Sequence, residues 1–187
     1  MKKILYVIVM ILPLSIFSQS MTPEMKREKT IQDIGDIAQF APVFTSLAVI
    51  FIKKDKKGFW QFAKSFGTTL GLTYALKYTI KKPRPDGAAD GNAFPSGHTA
   101  AAFSGASFLQ RRYGWEYGIP AYAVAGFVAY SRLEGLNDRH DGWDVLAGIV
   151  VGVGSTYLFT TPYQKEHYEL SFKSSNGEYL LGLNYKF

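Results

Sequence analysis

Three short stretches of this chain carry side chains able to bind and cleave an anionic group. The first runs Lys77-Tyr78-Thr79-Ile80-Lys81-Lys82-Pro83-Arg84-Pro85. Proline has no amide N–H and disfavours helix in the residue before it. Pro83 and Pro85 are therefore expected to stop a helix that carries Lys77 in its last turn and to hold Arg84 extended. Two cations so placed can converge on one anion where the chain bends, although basic residues also flank apolar helices without any such role. The second stretch is Phe94-Pro95-Ser96-Gly97-His98-Thr99. It reads as a helix opening, where backbone N–H groups lack partners and the partial charge is positive, a ready seat for phosphate. Gly97 allows close backbone approach and His98 projects toward the same point; a polar helix-start histidine is the plainer alternative. The third stretch is Ser131-Arg132, then His140-Asp141-Gly142-Trp143-Asp144. His140 and Asp144 stand four apart and can meet on one helix face. A carboxylate bonded to one ring nitrogen fixes the tautomer and leaves the other nitrogen's lone pair free to attack. A surface His–Asp pair is the alternative.

The elements that must position these groups are five weakly polar segments: Ile34–Ile52 with Asp36 its only charge, Phe59–Ile80, Phe94–Gln110, Tyr117–Ser131 and Val145–Gln164. They are rich in Gly, Ala and Thr and lack the strict alternation of strands, which predicts helices and an all-α domain over 34–164. Antiparallel alternation of such helices brings 77–84, 96–98 and 132–144 to one side of a bundle. Gly148-x-x-x-Gly152 and the Gly97, Ala101, Gly105 series put small residues one turn apart, faces that allow close helix packing as in membrane bundles. Several segments are short for a span of about 20 residues, so a tightly packed soluble bundle is the alternative.

The ends differ. Residues 1–20 read as a signal peptide or N-terminal anchor: Lys2-Lys3, an apolar Ile4–Phe17 and a small polar Ser18-Gln19-Ser20. Residues 21–33 form a polar, exposed lead-in. In the tail, 165–187, Tyr168, Leu170 and Phe172 alternate with polar residues, Asn176-Gly177 supplies a turn, and Tyr179, Leu181, Leu183, Tyr185 and Phe187 alternate again, predicting a short β-hairpin. A single hairpin cannot close a barrel.

Composition narrows the classes. The 187 residues contain no cysteine, which excludes a disulfide framework, a Cys-ligated zinc and a thiol nucleophile. Net charge is +6, from 21 Lys and Arg against 15 Asp and Glu. The cations come in short clusters (Lys53, Lys54, Lys56, Lys57; Lys81, Lys82, Arg84; Arg111, Arg112) without the interleaved aromatics of a nucleic-acid platform, so no nucleic-acid partner is expected. If residue 21 lies outside, the loops at 53–57 and 111–112 fall on the cytoplasmic side, in keeping with the positive-inside bias. The loops at 81–93 and 132–142 are also basic, a charge that suits an outer site binding an anion.

Lys-x6-Arg-Pro, Pro-Ser-Gly-His, and Ser-Arg…His-x3-Asp followed by Val-Leu-Ala-Gly resemble, in order, the three signature motifs of the type 2 phosphatidic acid phosphatase (PAP2) superfamily. The resemblance covers about residues 34–161. It implies a helical bundle, often of six membrane helices, shared with soluble acid phosphatases and vanadium haloperoxidases; five to six membrane helices are expected here. It further implies that Lys77, Arg84 and Arg132, with Ser96 and the Gly97 amide, bind the phosphoryl oxygens. His98 would protonate the leaving oxygen and His140 would be the nucleophile, oriented by Asp144. One departure stands out: Leu133 to Arg139 place seven residues between the third-motif Arg and the His, where the family usually has five. Either the loop bulges around Leu136-Asn137, or Arg132 is displaced, with Arg139 as a lower-ranked substitute cation.

The expected activity is metal-independent and cofactor-free hydrolysis of a phosphomonoester or pyrophosphate through a phosphohistidine intermediate. A phosphorylated lipid is the favoured substrate, with the membrane as partner and no obligate protein partner inferred. The expected location is a bacterial inner membrane with the site facing the periplasm. The alternatives are a soluble periplasmic acid phosphatase on the same bundle and a non-catalytic membrane scaffold.

Overall fold

The computed structural model describes residues 21–85, 92–136, 140–163, 168–175 and 178–185. The signal or anchor reading of 1–20 lies outside them, as do Asn137, Arg139 and the Asn176-Gly177 turn.

The chain forms a helical bundle followed by a two-stranded hairpin, in line with the all-α reading. Helix α1 (Pro23–Ala38) opens on Thr22, whose hydroxyl accepts from the Met25 N–H at 3.2 Å, with Pro23 in the first turn where its missing N–H costs nothing. The polar stretch 21–33 is thus helical from Pro23 onward; it is largely exposed, but Gln32 is buried. Only Gln39 separates α1 from α2 (Phe40–Ile52). Helix α3 (Lys56–Ile80) is capped by Asp55, which accepts from the Gly58 N–H at 2.8 Å. Its last residue precedes Pro83 by three, because Lys81 turns the backbone left-handed at φ 49°. Helix α4 (Gly97–Tyr113) ends on Gly114 at φ 101°, a conformation that favours glycine, and α5 (Trp115–Leu133) follows at once. Helix α6 (Gly142–Phe159) starts three residues earlier than its apolar pattern, because Asp141 and Asp144 cap each other's backbone N–H groups in a capping box. Strands β1 (Tyr168–Ser175) and β2 (Glu178–Tyr185) pair antiparallel, Tyr168 opposite Tyr185 and Ser175 opposite Glu178.

Helix α4 is the hub, packed against α6, α5, α2 and α3. Its small residues make this possible. A Cβ on Gly105 would fall 2.7 Å from the Pro42 carbonyl carbon of α2, one on Gly148 would fall 2.6 Å from the Ser96 carbonyl oxygen, and one on Gly152 2.5 Å from the Ala100 oxygen. The Gly148-x-x-x-Gly152 face therefore seats α6 directly on the opening turns of α4. Val43, Ile50, Phe62, Phe108, Leu109, Ala125 and Val128 form the apolar core. At the end away from the three motifs, Arg112 makes two 2.7 Å hydrogen bonds to the Asp55 carboxylate, both side chains being buried, and Tyr113 adds a third at 3.0 Å. The Arg112 guanidinium and the cap N–H hold the Asp55 carboxyl below its usual range against the opposing effect of burial. Breaking one partner of such a pair typically costs about 3–5 kcal/mol, so this end acts as a clamp between the α2–α3 turn and α4.

Candidate active site

The α1–α2 junction, α3 and the segment beyond it, α4, α5 and the approach to α6 surround one cavity of about 460 Å³. Lys77, Arg84, Gly97, His98, Arg132 and His140 all line it, so six of the eight residues expected at the site meet in one cavity. Phe40, Phe66, Leu70 and Tyr74 give the same lining an apolar and aromatic part.

Lys77 sits in the last turn of α3 and donates to the Asn92 carbonyl, which ties the end of α3 to the approach to α4. Arg84 follows in the extended segment beyond the helix. Gly97 presents its open backbone to the cavity, where a Cβ would meet only Thr73 Cγ2 at 3.7 Å and Lys77 Cε at 3.9 Å. Ser96 is placed differently from the other expected phosphate ligands. It is fully buried behind the wall, its N–H donates to the Asp144 carbonyl at 2.9 Å, and its hydroxyl accepts from Thr99 at 3.0 Å. It joins the second motif to the third rather than facing the cavity.

His140, 6% exposed, reaches the cavity from just ahead of α6. Its Nδ1 lies 3.5 Å from Asp144 Oδ2, short of a formed hydrogen bond, and has no hydrogen-bond partner among the described residues. Burial, and then the charges of Arg84 and Lys77, push the imidazole down to about 4 against the opposing pull of Asp144. At neutral pH the ring is therefore neutral and one nitrogen carries a lone pair. Asp144 itself is fully buried beneath it.

Arg132 is not displaced by the seven-residue spacing. Its guanidinium is 1% exposed, lines the cavity, and donates to Gln32 O and Ser131 Oγ, both at 3.0 Å. Gly135, just past α5, packs against Gln32, where a Cβ would lie 3.3 Å from that side chain. The substitute role considered for Arg139 falls outside the described residues.

Two charged residues enter the site that motif reasoning passed over. Asp36 Oδ1 lies 2.6 Å from Arg132 Nη1 and 3.1 Å from His98 Nε2, one oxygen shared by a cation and an imidazole. The signal was present in the sequence: Asp36 is the only charge in Ile34–Ile52, and a lone carboxylate in an apolar helix calls for a partner. Lys82 Nζ donates to Asp144 Oδ1 at 2.8 Å and to Asp141 Oδ2. Nothing in a run of basic residues singled it out from Lys81.

Cations and imidazoles converging on a helix N-terminus define an anion-handling site on a helical bundle, and comparison with known proteins gives the class. The PAP2 superfamily model matches residues 58–168. A Lipid A 4'-phosphatase of Helicobacter pylori is 31% identical over 172 residues, covering 83% of this chain and 85% of that protein. A Lipid A 1-phosphatase of Porphyromonas gingivalis is 36% identical over 130 residues, 64% of this chain and 28% of that longer protein. The crystal structure of LpxE from Aquifex aeolicus shares the fold at a TM-score of 0.59 and 20% identity, covering 75% of this chain and 87% of that one. The chain belongs to the PAP2 superfamily, and it is a phosphatase, a phosphoric ester hydrolase.

Proposed function

We propose that the protein removes a phosphate monoester from a membrane glycolipid of the lipid A type, without a metal and through a phosphohistidine intermediate. One observation carries this reading: a single cavity is lined both by Lys77, Arg84, Arg132 and two histidines and by Phe40, Phe66, Leu70 and Tyr74. The charged residues suit a phosphoryl group and the apolar ones suit the apolar part of an amphiphile. The similarity to lipid A phosphatases supports the head group, and the outer faces support the membrane. Pro23–Ile52 and Gly142–Phe159 are long and apolar enough to cross a bilayer. Phe44, Ile52, Val150 and Leu158 point outward, and exposed Trp143 and Tyr78 at the site end face exposed Trp60 and Trp115 at the other. Aromatic rings at both ends of an apolar belt match the two interfaces of a bilayer.

In this mechanism the free lone pair of neutral His140 attacks phosphorus in line. The N–P bond forms as the P–O bond to the sugar breaks, and His98 delivers its proton to the departing oxygen. Lys77, Arg84, Arg132 and the Gly97 amide stabilise charge on the equatorial oxygens, the main contribution expected in phosphoryl transfer. Water, losing a proton to His98, then cleaves the phosphohistidine and restores both imidazoles. His98 Nε2 and Arg132 both face Asp36 Oδ1, so an entering phosphate competes with that carboxylate for Arg132. Asp144 steadies the imidazolium side of His140 from below, and Ser96 holds the α4 opening against α6.

The test is phosphate release by the full-length protein in detergent, with lipid A against p-nitrophenyl phosphate, in excess EDTA. Preferred release from lipid A with EDTA-resistant turnover, a vanadate-sensitive rate, and loss of activity in His140→Ala are expected. Turnover retained by His140→Ala would remove the nucleophile assignment, and release by osmotic shock without detergent would favour the soluble phosphatase.

A further inference from the structure

We propose that Lys82 is a positioning residue for catalysis, holding the Asp144 carboxylate in the rotation that serves the nucleophilic imidazole. The inference rests on His140 as nucleophile. Asp144 is fully buried and its two oxygens have divided duties. Oδ1 accepts from Lys82 Nζ at 2.8 Å; Oδ2 accepts from the Asp141 N–H at 3.2 Å and lies 3.5 Å from His140 Nδ1. With Oδ1 anchored, the carboxylate cannot turn about its Cβ–Cγ bond without breaking an ion pair, so Oδ2 stays beneath the imidazole. The same ammonium reaches Asp141, the N-cap of α6, and thus grips both members of the capping box.

The contact also joins the three motifs. Lys82 belongs to the first stretch, and its carbonyl accepts from the Ala93 N–H at 3.0 Å, three residues ahead of Ser96. The Ser96 N–H donates to the Asp144 carbonyl, and Asp144 opens the helix of the third. Its neighbour Lys81 is exposed at the left-handed stop of α3 and takes no part in these contacts. Both carboxylates in turn hold Lys82 in its charged form: the ammonium is raised above its ordinary range and Asp141 is held below its own.

The charges facing His140 are Asp144 from the first turn of α6, Lys77 from the end of α3, Arg84 from the segment beyond it, and His98 and Arg132 from α4 and α5 around the same cavity. Lys82 lies behind Asp144 and offsets part of its field. Removing that cation lets Asp144 act undiluted on the imidazole and raises the pH at which His140 becomes neutral.

The test compares kcat and KM against pH for wild type, Lys82→Gln, Lys82→Arg, Lys81→Gln and His140→Ala, as full chains in detergent, with thermal unfolding of each. Lys82→Gln keeps a hydrogen-bond donor but no charge. It is expected to lose about tenfold or more in kcat, by analogy with the loss when a group that orients a metal-ligating histidine is removed, with KM nearly unchanged and the acid limb moved upward. Lys82→Arg recovers most of the rate, and Lys81→Gln matches wild type. Wild-type kinetics in Lys82→Gln, or an equal loss at every pH with the limb unmoved, would overturn the inference. Should Lys82→Gln fail to fold, Lys82→Arg alone decides: loss of rate with a displaced limb in a folded, charge-preserving variant would overturn the claim that the charge is what matters. Activity in His140→Ala would instead remove the reading on which the inference stands.

Discussion

The seat of α6 on α4 sets the distance between the two histidines, and Gly148 is where that can be tested. A Cβ added there would lie 2.6 Å from the Ser96 carbonyl oxygen, 3.1 Å from Thr99 Cβ and 3.3 Å from the Ala100 nitrogen. Two of these are backbone atoms and cannot swing aside. Ordinary contact begins near 3.4 Å, so α6 must withdraw by about 0.8 Å, the difference from 2.6 Å. Asp144 in the first turn of α6 and His140 in its approach lie four and eight residues before Gly148 (148 − 144 and 148 − 140). A misplacement of about 1 Å at a reacting group can cost about 10²-fold in rate, and overpacking a tight contact costs about 1–3 kcal/mol in stability. Gly148→Ala is therefore expected to lower kcat roughly 10²-fold at nearly constant KM, with the unfolding midpoint reduced by a few degrees. Gly154→Ala is the control, because a Cβ there meets nothing within 4 Å on the same helix. Phosphate release at saturating substrate and thermal scans of both variants decide the matter. Equal kcat in the two variants would refute the claim that close helix approach places the nucleophile.

Three further outcomes follow from the charges around the cavity. His140 is lowered from 6.5 to about 4 in the folded protein, so the acid limb of the kcat/KM profile, which reports the free enzyme, is expected near pH 4 rather than near 6.5. The unfolded chain binds the extra proton first, so stability falls as pH drops from 6.5 to about 4 and this contribution levels off below; denaturant unfolding across that range checks the sign, and His140→Ala removes this component. Replacing Asp36 by Asn removes the negative charge shared by Arg132 and His98. It is expected to slow turnover by up to about 10²-fold, the low end of a general acid's usual contribution of about 10²–10⁴-fold, while vanadate inhibition tightens because the anion no longer competes with a carboxylate. Weakened vanadate binding together with unchanged kcat would show that Asp36 has neither role.

Much of the site was legible because its chemistry is local. Pro-Ser-Gly-His writes the opening of a helix into four adjacent residues, and His140 with Asp144 needs only one turn of helix to meet. The helices were legible from apolar segments bounded by breakers, though their ends shifted wherever a cap lay outside the apolar run: Thr22-Pro23 lengthened the first segment, and the Asp141–Asp144 box moved α6 forward. Asp36 stood out as a single charge in an apolar stretch, yet its partners are 62 and 96 positions away (98 − 36 and 132 − 36). No periodicity connects such positions.

Residue types and short-range spacing alone determined that the chain makes helices, and nominated three stretches as candidates for handling an anion and two imidazoles as candidates for the chemistry. Backbone propensity, capping and i,i+4 geometry act over a few residues, so a sequence exposes them directly. Only tertiary packing decided that Ser96 turns into the α4–α6 interface, that Arg132 keeps its place despite a longer loop, and that Lys82 rather than Lys81 grips Asp144. Those outcomes depend on which side chains meet across helices and on how much water is excluded between them, quantities that exist only once the bundle has closed.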